Sequence, residues 1–194
     1  MRALRTFSIS IALAMCFVAP AVADSLEEGV AAYRIADYTT ALRLYRALAD
    51  QGLDVAQFNL GLMYANGQGV LKDEAEAIKW YRLAAGQGRA DAQYQLGNLY
   101  YEQNIYPEAV RWFRLAAEQG RADAQSNLGV MYADGDGVAQ DYVLAYMWFS
   151  LAAAQDHREA IDNRDSIASL MSPTQIAEAQ KRAREWKRTP QSHR

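Results

Sequence analysis

A short run of residues recurs along this chain at a nearly constant interval, and that recurrence restricts the fold more than any other feature. Gln57-Phe58-Asn59-Leu60-Gly61-Leu62-Met63-Tyr64 returns as Gln93-Tyr94-Gln95-Leu96-Gly97-Asn98-Leu99-Tyr100 and again as Gln125-Ser126-Asn127-Leu128-Gly129-Val130-Met131-Tyr132. Each copy is followed by an aromatic pair and an alanine pair: Trp80-Tyr81 with Ala84-Ala85, Trp112-Phe113 with Ala116-Ala117, and Trp148-Phe149 with Ala152-Ala153. A weaker copy comes first and carries Gly29, Tyr38, Ala41, Tyr45, Ala49 and Gly52. Repetition at this period marks a stacked array, because each unit can bury its apolar face only against its neighbours. Arrays of this kind present extended surfaces and are read first as binding proteins.

Within the copy at 55–90, Leu60, Gly61 and Tyr64 fall at i, i+1 and i+4, on one side of a helix. A glycine inside a helix costs about 1 kcal/mol relative to alanine. Gly61 therefore marks a place where a neighbouring helix fills the space of a side chain. Asn66-Gly67-Gln68-Gly69 ends this helix, since glycine accepts turn conformations that a β-carbon resists. Asp73 is placed to cap a second helix, with Glu74 and Glu76 near its positive end. Ala77, Trp80, Tyr81, Ala84 and Ala85 form the apolar stripe of that helix, and the tryptophans at this position, Trp80, Trp112 and Trp148, read as core. Gly88 follows where a left-handed residue closes a helix. The product is an antiparallel helix pair.

The copy at 91–122 lacks the glycine loop. Tyr101-Glu102-Gln103-Asn104-Ile105-Tyr106-Pro107 makes a tighter turn, with Pro107 in the first turn of the next helix. Gly29 aligns with Gly97 and Tyr38 with Tyr106, so the first copy is also short, and the repeats run 32 or 36 residues. Beyond the last copy, Ile161, Ile167, Ala168, Leu170 and Met171 continue an apolar helical face. Ser172-Pro173-Thr174-Gln175 then reads as a fresh start, with Ser at the N-cap, Pro at N1 and Gln at N3. Ile176, Ala179, Ala183 and Trp186 give this last helix its apolar side.

The pattern L-G-x-x-Y, then G-x-G-V, then W-[YF]-x-x-A-A-x-x-G resembles the Sel-one-like repeat family, α/α repeats related to the tetratricopeptide repeat. The resemblance covers residues 24–158. It implies an all-α solenoid of about four helix pairs, at 24–54, 55–90, 91–122 and 123–158. Capping helices follow over 159–188, then a disordered tail at 189–194. Two departures fall in the terminal copies. Glu28 stands where later copies have Leu60, Leu96 and Leu128, and Asp156 where they have Gly88 or Gly120. Irregular terminal copies suit capping repeats.

Residues 1–23 read as a secretion signal. Arg2 and Arg5 form a basic start, Phe7 to Val18 an apolar stretch too short to span a bilayer, Pro20 a break, and Ala21-Val22-Ala23 a small-residue cleavage site. Cleavage is expected after Ala23, giving a periplasmic or secreted protein. Cys16, the only cysteine, lies inside this segment, and the large Met15 before it disfavours a lipoprotein signal. The remaining chain then has no disulfide and relies on packing. The formal charge of −3 becomes −5 once Arg2 and Arg5 are removed, which argues against nucleic acid as a partner. Lys181, Arg182, Arg184, Lys187, Arg188 and Arg194 make a basic end. It reads as a solvated helix terminus, with docking on an acidic partner or anionic lipid as the alternative.

Catalytic signals are weak. His157 and His193 are the two histidines, both read as surface residues, and no pair has metal-ligand spacing. No nucleophile elbow, S-x-x-K motif, P-loop or dinucleotide fingerprint occurs. Asp134-Gly135-Asp136-Gly137 begins like a calcium loop, but Val138 and Ala145 occupy later ligand positions, so it reads as a turn. No catalytic residue, cofactor or metal is expected.

The family resemblance supplies the site expectation. In tetratricopeptide-like stacks the first helix of each pair lines a concave groove. Carried over to this sequence, the groove positions are Phe58, Leu62, Tyr94, Asn98, Ser126 and Val130, with Tyr33 and Tyr101 one residue past the motif tyrosine. The resemblance implies a non-enzymatic scaffold or adaptor that binds a protein or peptide partner. Two other readings stand beside it. One is a hydrolase of cell-wall material or β-lactams, suggested by cysteine-rich secreted relatives whose cysteine pairs this chain lacks. The other is glycan binding through Tyr33, Tyr94 and Tyr101.

Overall fold

The computed structural model describes residues 10–188, with side chains for 22–186. Ten helices and no strand occur among them: α1 (Ser10–Arg34), α2 (Tyr38–Asp50), α3 (Asp54–Asn66), α4 (Glu74–Gly86), α5 (Ala90–Glu102), α6 (Tyr106–Glu118), α7 (Ala122–Asp134), α8 (Tyr142–Ala153), α9 (Arg158–Ala168) and α10 (Pro173–Arg188). The chain divides into two compact units, Met1–Trp80 and Tyr81–Arg194. Of the expected secretion signal, residues 1–9 and the side chain of Cys16 lie outside the described residues, as do 189–194 with His193 and Arg194. The remainder of the signal falls in α1, which runs through Pro20 in place of the expected break. An interior proline costs a helix about 3 kcal/mol, so α1 passes position 20 against the local preference. No helix among the described residues is long and apolar enough to cross a membrane.

The ends of the helices follow the local chemistry. Asp73 Oδ1 accepts hydrogen bonds from the amides of Ala75 and Glu76, both at 3.0 Å, and so caps α4. Asp37 and Asp141 cap α2 and α8 in the same way, at 3.1 and 2.9 Å. Hydrogen bonding from the Thr40 side chain, and then from its amide, holds the Asp37 carboxyl below its ordinary value. Before α10 the expected capping box is complete: Gln175 N donates to Ser172 Oγ at 3.3 Å and Ser172 N to Gln175 Oε1 at 2.9 Å. Asp156, which replaces the usual terminal glycine, takes up φ 60 and closes α8 as Gly88 (φ 90) and Gly120 (φ 88) close α4 and α6.

In the pairs α1–α2, α5–α6 and α7–α8 a glycine of the first helix lies beneath an aromatic ring of the second. A β-carbon built at Gly97 would sit 2.5 Å from Phe113 Cε1, at Gly129 2.6 Å from Phe149 Cε1, and at Gly29 3.0 Å from Tyr45 Cε1. Tyr81, the corresponding ring of α4, is buried as well. Around these rings the alanines Ala109, Ala116 and Ala117 and the leucines Leu96 and Leu128 are buried in the second unit. Leu60, Met63, Tyr45 and Trp80 form the core of the first.

Polar groups join one repeat to the next. The motif glutamines are buried, and each donates from Nε2 to a carbonyl near the end of the preceding second helix: Gln57 to Ala49 (3.3 Å), Gln93 to Ala85 (3.3 Å) and Gln125 to Ala117 (3.1 Å). Each of these carbonyls also accepts the amide of the glycine just past the helix, Gly52, Gly88 or Gly120, so the glutamine adds a second bond at the helix end. The motif tyrosines are held from above. Arg46, Arg82 and Arg114 donate to the hydroxyls of Tyr64, Tyr100 and Tyr132, and each guanidinium also lies within 5.9 Å of the ring centre.

The long glycine loops have a seat on the short repeat before them. Gly69 lies so close to Tyr38 that a β-carbon would be 2.8 Å from its carbonyl oxygen, and one at Gly137 would be 2.7 Å from Pro107 N. Both glycines have positive φ, 72° and 71°, so space and conformation exclude a side chain together.

α10 packs on α8, and Trp186 meets Trp148 edge-on at 5.0 Å. This cover explains why α8 is apolar on nearly every side and why Leu151 is buried while its counterparts Leu83 and Leu115 are exposed. Trp80 and Trp148 are core, as expected; Trp112 is only partly buried. The Arg111 guanidinium lies over its ring at 5.1 Å.

Replacing Gly97 with leucine should lower stability by about 1–3 kcal/mol through overpacking against Phe113. Gly86→Ala, at a helical glycine with nothing within 4 Å, should instead be neutral or add up to about 1 kcal/mol. Thermal unfolding of the two variants beside the parent decides; equal loss in both would remove the packing role of Gly97.

Candidate functional site

In the first unit, Phe58 and Leu62 occupy successive turns of α3 and are partly buried. Tyr33 is committed to the fold: its hydroxyl donates to Gln68 Oε1 at 2.8 Å and its ring meets Tyr38 edge-on at 5.5 Å. It belongs to the seat of the glycine loop.

In the second unit, Tyr94, Asn98 and Tyr101 stand at i, i+4 and i+7 along one side of α5. Tyr94 is partly buried and fixed from two directions. Phe113 lies 5.9 Å from its ring centre, and the Arg121 guanidinium stacks on it at 4.5 Å. Asn98 Oδ1 accepts a hydrogen bond from Asn127 Nδ2 of α7 at 3.4 Å, which brings the two first helices together at this level. Tyr101 is 40% exposed and packs against Tyr106 at 5.4 Å. Burial, then the charge of Asp136, then Tyr106 and Asp134, raise its hydroxyl above the ordinary tyrosine value. Val130 is partly buried on α7. Ser126 departs from expectation: it is 2% exposed, too short to reach a surface that phenylalanine and tyrosine reach from the same repeat position.

A chain of charges that the motif reading missed runs past Tyr94. Arg121 donates to Asp91 and, through Nη2, to Asp123 at 3.1 Å, while Arg89 approaches Asp91 at 4.0 Å. His157 ends the chain, with Nε2 3.3 Å from Asp123 Oδ1. Its Nδ1 accepts from Ala160 N at 3.3 Å and caps α9, so His157 is a partly buried structural residue and not the surface residue expected. The signal was in plain view: Arg89-Ala90-Asp91-Ala92-Gln93 recurs unchanged as Arg121-Ala122-Asp123-Ala124-Gln125. The identical pentapeptides place the same cation and anion at the start of successive first helices, where they meet across the stack.

Among the described residues, no group of three or more His, Cys, Asp or Glu side chains is placed to hold a metal. The surface offers aromatic faces, amides and charges, the means of non-covalent recognition.

Four consecutive segments, 12–53, 54–88, 90–120 and 122–157, match the Sel1 repeat model. The chain belongs to the Sel1 repeat family. Its helices pair as in the Sel1-type α/α solenoid, with additional helices at the C-terminal side. A Sel1 repeat protein from Oxalobacter formigenes is similar in structure, with TM-score 0.61 and 33% identity over 74% of this chain; the match spans 64% of that protein. A protective antigen of uropathogenic Escherichia coli with the same repeat fold is 30% identical over 76% of this chain and 40% of its own length, at TM-score 0.43. An immunity protein from Pseudomonas aeruginosa matches at 20% identity over 82% of both chains, with TM-score 0.37. No curated protein matches the sequence. The chain thus spans less than two thirds of the first two solved relatives.

Within this Sel1 frame Arg121 joins two aspartates and the Tyr94 ring. Arg121→Met should cost about 1–2 kcal/mol, since partly exposed ion pairs are weakened by solvent while the stacked contact is lost outright. Urea denaturation would report this, and a Tyr94 fluorescence or NMR signal that becomes mobile in the variant would locate the loss. An unchanged signal would separate Tyr94 from Arg121.

Proposed function

We propose that this Sel1 repeat chain is a non-enzymatic binding scaffold, and that a protein or peptide partner lies against the first-helix surfaces. The observation that carries this reading is the state of Tyr94. A large ring at a variable repeat position stays partly accessible while Arg121 and Phe113 hold it still. A rigid aromatic side chain loses little freedom on binding and supplies a large contact area, which is what interface anchors require. Asn98 lies one turn further along α5, Val130 holds the place of Asn98 on α7, and Phe58 and Leu62 hold the places of Tyr94 and Asn98 in the other unit. The sequence offers a hydrolytic role no recognised nucleophile motif.

The decisive experiment crosslinks the protein in intact cells and compares wild type with a Phe58→Ala/Tyr94→Ala variant. A discrete crosslinked partner should disappear in the variant. A partner that persists would move binding off these helices. Retention on peptidoglycan or exopolysaccharide without any protein crosslink would favour the glycan reading, in which Tyr94 and Tyr101 stack on sugar rings.

We further propose that the scaffold works outside the cytoplasm, on the strength of the basic, apolar and small-residue order of residues 1–23. N-terminal sequencing of the protein recovered from the periplasm or medium should begin at Asp24. Recovery only from the cytoplasm, with Met1 retained, would refute export.

A further inference from the structure

The loops after α3 and α7 are equivalent in build and different in charge. Asn66-Gly67-Gln68-Gly69 is neutral and its amides are occupied. Gln68 Oε1 accepts from Tyr33 at 2.8 Å and from Asn66 at 3.5 Å, and Gln68 Nε2 donates to Tyr38 at 3.3 Å. One amide thus joins both tyrosines of the short repeat. In Asp134-Gly135-Asp136-Gly137 the same two places carry carboxylates. Among the described residues, neither Asp134 nor Asp136 has a hydrogen bond or an ion pair from its side chain. The tyrosines respond differently too. Tyr106 donates within its own turn, to Asn104 Oδ1 at 2.8 Å, and the Tyr101 hydroxyl is left without a described hydrogen bond.

The fold does not call for these charges. Asp134 is the last residue of α7, the end of a helix at which a negative charge is disfavoured. Asp136 shares a short glycine turn with it, so like charges are held together where Gln68 shows that a neutral residue suffices. The loop that carries them rests on the turn before α6, since a β-carbon at Gly137 would meet Tyr106 and Pro107, and that turn holds uncovered apolar surface: Tyr101, 5.4 Å from the Tyr106 ring, is 40% exposed, and Ile105 is 42% exposed. Exposed ring, exposed aliphatic group and unneutralised carboxylates together define the chemistry of what would cover them.

We propose that this patch seats a lysine or arginine side chain of the protein partner, its stem along the Tyr101 ring and its cationic head against Asp134 and Asp136. A ring face accepts both the apolar stem and the nearby charge of such a residue. The carboxylates supply charge-assisted hydrogen bonds, with arginine able to engage one of them through two donors. An aliphatic neighbour in the partner would rest on Ile105. The seat deepens the binding-scaffold reading and rests on it: it specifies a basic segment as the partner's contact with the α5–α6 turn and the α7–α8 loop.

A random-peptide library displayed on phage, selected against the purified chain, tests this even while the partner is unidentified. Selected sequences should be enriched in a basic residue next to an aliphatic one. A representative synthetic peptide should bind Asp134→Asn/Asp136→Asn about tenfold more weakly than wild type, with affinity falling as salt rises. Changing its arginine to citrulline should cost a similar factor. The asparagine variant should unfold at or slightly above the wild-type temperature, because neither carboxylate carries a contact of the fold and the helix end disfavours the charge. Peptides that are not basic, or that bind the asparagine variant equally well, would overturn the seat. If those peptides are lost in Tyr94→Ala/Asn98→Ala, the scaffold reading survives alone. Failure to select any peptide would overturn both.

Discussion

Two helices of a repeat can approach only as closely as the smallest atom between them allows, and in this chain that atom is a glycine hydrogen. Gly97 under Phe113 and Gly129 under Phe149 set the spacing. With the rings seated there, alanines fill the remaining contact, and the buried glutamines come within reach of helix-end carbonyls that also accept from the amides of Gly88 and Gly120. The arginine–tyrosine contacts close the outer margin at the same spacing. A glycine that costs helix stability by itself is thereby the condition for the favourable interactions around it.

The periodic part of this architecture was legible in the sequence because periodicity is a local property. Apolar spacing, Asp73 before α4, the Ser172–Gln175 box and the terminal glycines each act within one or two helical turns. What stayed hidden depends on which residues meet across repeats. The Arg121–Asp91–Asp123 chain was written in two identical pentapeptides, yet their pairing requires the stacking distance, which no single copy contains. Trp112 and Trp148 share a motif position, but only one is covered by Trp186, so the same letter has two environments.

The candidate surface was less legible than the core. Repeat register places Phe58, Tyr94 and Ser126 at one position, and side-chain length then decides which of them reaches the surface. Ser126 does not. Tyr33 and Tyr101 are likewise equivalent in register, but one is tied by Gln68 and the other stands beside carboxylates. Register identifies the position; the neighbouring loop sets its availability.

Because each Gly-x-Gly loop is shaped to rest on the turn of the short repeat before it, the four copies are two cassettes. Gly69 needs Tyr38, and Gly137 needs Tyr106 and Pro107. Deleting one copy would strand a loop without its seat or leave a seat open to water. The smallest block that could be duplicated or lost without a misfit is therefore a short copy with the long one that follows. Sel1 arrays built this way should vary in length by twos.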